Sequence, residues 1–128
     1  MNNLASFTAG IRAFNITVQN ACELKIKRIA TRLLLDIVNG TPVETGLAKG
    51  NWHVSKSNPD FNILDRHSIS GSEAISEGIA VINSFKMSES IIYIENHLKY
   101  ISALEDGHST QAPAGMVSVA ISNVKGMI

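Results

Sequence analysis

From Ser6 to Val38 the apolar residues Phe7, Ile11, Phe14, Val18, Cys22, Ile26, Ile29, Leu33 and Ile37 recur in steps of three and four. That spacing keeps them on one face at a period near 3.6 and predicts an α-helix over 6–38. Asn3 or Ser6 can cap its start, and Gly40 followed by Pro42 stops it. About 32 residues at 1.5 Å each make a helix of roughly 48 Å. A chain of 128 residues folds into a globule only about 30 Å across. Either the helix breaks, around Asn15 to Asn20, or its end projects and finds a partner. Ile16, Leu24, Leu34 and Leu35 lie off the main face and favour the partner.

Composition points the same way. The length suits one domain, 1–128, with one modest core. Hydrophobic residues make up 45% and charged residues 17%, but aromatics only 5%, so further burial in an assembly is expected. Met1-Asn2-Asn3-Leu4 opens without a basic segment followed by an apolar one, and no run reaches the roughly 18 apolar residues of a membrane span. Cys22 is the single cysteine, which excludes an intramolecular disulfide. The expectation is a chain made and assembled inside a cell, without a membrane partner. Formal charge is zero overall but uneven. Residues 1–40 carry five basic side chains against two acidic, a net of +3, and the rest carry six against nine, a net of −3. A basic first third against an acidic remainder permits head-to-tail contact between copies, and an ordinary solvated charge distribution accounts for it more simply.

After the helix, Thr41-Pro42-Val43-Glu44-Thr45-Gly46-Leu47-Ala48-Lys49-Gly50-Asn51-Trp52 forms a corner. Pro42 fixes its own φ and turns Thr41 away from helix. Gly46 and Gly50 are expected to supply backbone angles that other residues resist. With the turn at 40–50, alternation through Trp52-His53-Val54-Ser55 predicts a strand over 51–56. The stretch 57–72, rich in Ser, Asn, Asp and Gly, reads as an exposed loop. Ile75, Ile79, Ile82 and Phe85 place a helix over 73–86, and β-branched and aromatic density places a strand over 90–97. In the C-terminal segment 98–128, Tyr100–Leu104 suits a short helix ended by Asp106-Gly107. The tail reads as helix or strand, with Pro113 at a first helical position favouring helix.

Sites for chemistry are weakly marked. His53, His67, His97 and His108 show no paired-ligand spacing, and His108 near Glu105 and Asp106 is the closest approach to a metal cluster. Asp106, His108 and Ser109 hold the residue types of a hydrolase triad but are adjacent in sequence, whereas triads gather from separate elements. Cys22 falls on the apolar helix face and reads as a small hydrophobe. Neither a catalytic residue nor a cofactor or metal site is expected. Lys25, Arg28 and Arg32 form a stripe bordering the apolar seam and are candidates for facing a subunit or DNA. Overall neutrality argues against a dedicated nucleic-acid binder, and snorkelling along a packed helix also accounts for the stripe.

The corner resembles the signature T-P-V-D/E-T-G-x-A-R/K-x-N-W of tail-completion or neck proteins of tailed bacteriophages, minor tail or head–tail joining components. A second block, Ile92-Tyr93-Ile94-Glu95-Asn96, then Tyr100 and Leu104-Glu105-Asp106-Gly107-His108-Ser109-x-Gln111-Ala112-Pro113-x-Gly115-Met116-Val117, is similar to the same family, and the likeness extends from about Lys27 onward. Leu47 stands where the family carries arginine, and Asp106 where it carries an aromatic. The matching positions are Thr41, Pro42, Thr45, Gly46, Gly50, Asn51, Trp52, Leu104, Glu105, Gly107, His108, Gln111, Pro113 and Gly115. The resemblance implies an α+β fold, a long N-terminal helix on a small mostly antiparallel sheet with additional short helices. It implies a structural virion protein, not an enzyme, that completes the tail end and helps join head to tail. Copies would form a ring of about six, or about twelve, around the DNA channel. Neighbours would be the head connector or stopper and the tail terminator or tail tube, with the particle assembled in the host cytoplasm. The alternative is a tail terminator or head-closure protein. A small metal-dependent hydrolase and a DNA-contacting adaptor rank lower.

Overall fold

A computed structural model describes residues 3–107, 110–111 and 114–128, with side chains from Thr8 onward. The fold is α+β. Helix α1 runs unbroken from Asn3 to Gly40, 38 residues or about 57 Å. A one-turn helix α2 (Leu47–Gly50) leads to strand β1 (His53–Lys56), then α3 (Ser72–Asn83) and a 3-10 turn at Met87–Glu89. Strand β2 (Ile92–Glu95), α4 (Ile101–Glu105), α5 (Met116–Val124) and a closing 3-10 turn at Lys125–Met127 complete the order. No described helix is long and apolar enough to cross a membrane.

Helix α1 does not break at Asn15–Asn20. From Thr8 to Cys22 every side chain is exposed, including Phe14 at 68%. The packed half begins at Glu23, whose carboxylate accepts the Met87 N–H at 3.0 Å. Beyond it α1 lies between α5 and α3, and Ala30, Leu34, Ile37 and Val38 enter the core with Trp52, Val54, Ala74, Ile82, Met116 and Ala120. The buried face therefore differs from the face that the periodicity indicates. Leu34, assigned to a partner, is fully buried, whereas Cys22 is exposed and Ile26, Ile29 and Leu33 are half-buried. At 100° per residue the core face is rotated from the apolar stripe by roughly a quarter turn. The stripe persists: Ile26, Ile29 and Leu33 meet Ile92 and Ile94 of β2 around an open groove of about 220 Å³.

The sheet is one antiparallel pair, with His53 opposite Glu95, Val54 opposite Ile94, Ser55 opposite Tyr93 and Lys56 opposite Ile92. Alternation sends Val54, Ile92 and Ile94 toward the helices and His53, Ser55 and Glu95 to the other face. Both strands are shorter than the expected 51–56 and 90–97, since the paired ladder spans four residues of each. Helix α3 stops at Asn83, and Phe85, buried beyond its end, packs from a turn. The 57–72 loop is not wholly exposed. Ser68 and Gly71 are buried, and Arg66 donates through Nε to the Gly50 carbonyl (2.8 Å) and through Nη1 to Glu77 (2.7 Å). The tail is helical. Helix α5 starts at Met116, and Pro113, expected at its first position, lies outside the described residues.

Leu34→Ala is expected to cost about 2–5 kcal/mol through cavity formation, whereas Cys22→Ala or Ile11→Ala stays within about 0.5 kcal/mol. Urea unfolding monitored by circular dichroism separates the two faces. Equal effects at Leu34 and Ile11 would contradict the packing described.

Candidate functional site

The two sequence blocks meet at one end of the packed half of α1. Thr41, just past the helix, donates its hydroxyl to the Ile37 carbonyl (2.6 Å) and accepts the Trp52 indole N–H at Oγ1 (2.8 Å). Both residues are buried. Gly46 adopts φ +84°, and a Cβ there would collide with the Ser68 backbone. Its carbonyl accepts the N–H groups of Gly50 (2.8 Å) and Ser68 (3.0 Å). Gly50 corrects an expectation, since it is required by close approach and not by a special angle. It lies within α2, where a Cβ would strike the Arg66 carbonyl. Asn51 holds the following loop from both sides, donating to the Leu47 and Leu64 carbonyls (2.9 and 2.8 Å) and accepting the Leu64 N–H (2.7 Å).

The second block supplies two clamps. The Gln111 side-chain amide pairs with the backbone of Val43, accepting its N–H at 2.9 Å and donating to its carbonyl at 3.1 Å. Glu105 accepts the N–H of Val117 (2.8 Å) and both the N–H and hydroxyl of Ser118 (2.9 and 2.6 Å). Those amides open α5, whose N-cap position is Gly115, without a side chain to cap them; Glu105 supplies the missing cap from another helix. Gly115 in turn sits at φ +80°, where a Cβ would press on the Glu105 carbonyl and carboxylate. Burial pushes the Glu105 carboxyl up, but the hydrogen bonds from Ser118, Val117 and Met116 outweigh it and hold the group below the usual carboxylate range.

Between the blocks lies a cleft of about 460 Å³, walled by Pro42–Ala48 on one side and by Tyr100, Leu104, Thr110 and Gln111 on the other. Burial, then the charge of Glu44, raises the Tyr100 phenol above its ordinary value, so it remains a hydrogen-bond donor. Among these lining residues no histidine or cysteine stands beside a hydroxyl. The cleft offers backbone groups, hydroxyls, an amide, the Glu44 carboxylate and apolar patches. Gly107 turns the chain at φ +87°. His108, Ser109 and Pro113 lie outside the described residues, and with them the Asp106, His108, Ser109 arrangement.

All three residues of the basic stripe are exposed. Arg32 is held by Asp36 at 2.7 Å, while Lys25 and Arg28 stand exposed on α1. Two groupings escaped the sequence reading. Asn96 donates to the Ala48 carbonyl at 2.9 Å, binding the end of β2 to α2. His53, Glu95 and His97, set aside as too dispersed, converge because His53 faces Glu95 across the ribbon. Burial pushes the Glu95 carboxyl up, but the Asp60 N–H, Ser55, His97 and His53 bring it below the ordinary range. Only strand register could have revealed that cluster. No family model, curated protein or solved structure matches the chain.

Glu105→Gln is expected to cost about 1 kcal/mol at neutral pH. The folded carboxyl lies below its unfolded value, so its stabilisation is complete above about pH 4.3 and is lost as pH falls through the folded value. The stability difference between wild type and variant should therefore shrink on acidification, as measured by urea unfolding at stepped pH. A difference that grows toward low pH would reverse the assignment. Gln111→Ala should cost about 1 kcal/mol by removing the paired bonds to Val43, with slower-exchanging amides of the corner becoming faster in hydrogen exchange.

Proposed function

We propose that this chain is a structural virion protein of the neck or tail of a tailed bacteriophage, assembled in the host cytoplasm as a ring of about six or about twelve copies. The observation that carries this reading is the apolar stripe of α1. It runs from Ile11, Phe14 and Val18 on the projecting arm through Cys22 to Ile26, Ile29 and Leu33 at the open groove beside β2. A single domain leaves Ile11, Phe14 and Val18 exposed and Ile26, Ile29 and Leu33 only half-buried, while most of its core contacts come from another face. Exposed aliphatic and aromatic side chains at that density are the surface of an interface. A second copy of the chain is a suitable occupant: the apolar arm of one subunit meets the apolar groove of the next, and the relation repeats until the ring closes.

The two signature blocks support the family reading from a different direction. Glu105 and Gly115 account for each other's presence, and Gln111 ties the second block to Val43 of the first, which gives this part of the matched pattern a physical basis. The clamp holds the recognition cleft at the base of α1, where a connector, stopper, terminator or tube protein can dock. Exposed Lys25 and Arg28 suit weak, sequence-independent contact with passing DNA. The role is mechanical and recognitional, without catalysis.

Wild-type protein should form a closed oligomer in light scattering at micromolar concentration, and Phe14→Asp should shift it to monomer. Because Phe14 projects from the domain, the thermal midpoint of the monomeric domain should stay unchanged. A monomeric wild type that is also absent from purified phage particles would defeat the proposal.

A further inference from the structure

The face of the β1–β2 ribbon turned away from the core carries His53, Glu95 and His97 together. His53 and Glu95 are register partners, and His97, two residues beyond the end of β2, brings its ring against the Glu95 carboxylate. Glu95 Oε1 lies 3.3 Å from His97 Nε2, and Glu95 Oε2 lies 3.7 Å from His53 Nε2. One donor atom from each of the three falls within 4.8 Å of the other two. Ligands around a tetrahedral zinc ion stand about 3.3 Å apart, so small side-chain rotations close the set.

The surroundings are those of a held ligand set. His53 Nδ1 is 3.1 Å from the Asn51 carbonyl, the backbone contact that fixes a metal-binding imidazole in the tautomer whose Nε2 bears the lone pair. The Glu95 carboxylate is oriented by the Ser55 hydroxyl (2.8 Å) and by the Asp60 N–H (3.0 and 3.2 Å). The Phe61 ring covers one side of His97, centroids 4.9 Å apart.

A separate anomaly points to a cation. His53 Nε2 lies 2.6 Å from the Asp60 carbonyl oxygen, so both ring nitrogens face carbonyl oxygens. A neutral imidazole has one N–H and satisfies only one of them. A positive centre at Nε2 removes the conflict, and it is flanked there by the Glu95 carboxylate. A metal ion is such a centre once the Asp60 carbonyl moves back from 2.6 Å to ligand spacing, and it draws on His97, whose Nε2 already stands 3.3 Å from Glu95 Oε1.

We propose that His53, Glu95 and His97 bind one divalent transition-metal ion of the zinc class, with the Asp60 carbonyl or a water completing the shell. Two imidazoles and one carboxylate select such an ion over Mg²⁺ or Ca²⁺, which prefer all-oxygen shells. The ion pins the loop after β1 to the ribbon through His53, Glu95 and Asp60. This site is independent of any assembly into rings.

The test uses the full chain, without a polyhistidine tag, stripped with chelator and titrated with Zn²⁺. Calorimetry and elemental analysis should return one ion per chain, with the thermal midpoint raised by about 5 °C or more at saturation. His97→Ala, at a half-buried position, should fold and bind at least about tenfold more weakly. His67→Ala, on the same loop but outside the cluster, should bind like wild type. Co²⁺ should give a visible absorption band that His97→Ala abolishes. Absence of Zn²⁺ binding by wild type would overturn the proposal. Equal Zn²⁺ affinity in wild type and His97→Ala, or tighter binding of Ca²⁺ than of Zn²⁺, would overturn it as well.

Discussion

One buried hydroxyl sets the geometry of the domain. Thr41 closes the end of α1 by donating to the Ile37 carbonyl, and it receives the Trp52 indole N–H on the same oxygen. A helix terminus leaves carbonyls without partners, and a buried indole N–H needs an acceptor; one side chain answers both demands. Pro42 stops the helix from continuing past this point, and α2 brings Trp52 back to it. With Trp52 fixed, β1 has only one direction to leave, and β2, α3 and the core residues Val54, Ala74 and Ile82 assemble around it. Neither a wider turn nor an apolar residue at position 41 would hold the indole at that distance from the helix end.

The same economy governs the second block. Glu105 and Gly115 make sense only as a pair: the glycine leaves α5 without a side-chain cap, and the carboxylate that caps it occupies the space a Cβ would need. Gln111 treats Val43 as a strand would, offering a donor and an acceptor to one peptide unit. The cleft between the blocks therefore has walls fixed by hydrogen bonds to backbone, and side-chain changes along its lining can alter what it accepts without moving it.

Much of this frame was legible in the residues. Gly40 and Pro42 marked the end of α1, alternation marked Val54 as inward, and Asp106-Gly107 ended α4 where expected. The core face of α1 was not legible, because apolar residues occur on more than one side of the helix, and periodicity cannot say which side a domain keeps for itself. Leu34 and Cys22 exchanged roles for that reason. The need for Gly50 was misread as conformational when it is a matter of space beside Arg66, which no local pattern encodes. The His53, Glu95 and His97 grouping depended on pairing between segments some 40 residues apart, and the clamps of Gln111 and Glu105 likewise arise only in three dimensions. Long-range register was the missing quantity in each case.

The projecting arm also changes what association costs. A separate peptide of the arm's length would be a poor helix in water, since starting a helix carries a nucleation factor near 10⁻³, or about 4 kcal/mol. Here the packed turns from Glu23 to Gly40 supply the nucleus, and the arm propagates outward from them as a zipper closes from a fixed stop. Whatever covers Ile11, Phe14 and Val18 thus meets a surface already ordered as helix. Val18 and Cys22 lie nearest the packed domain, with Phe14 and Ile11 about one and two turns further out along the same helix.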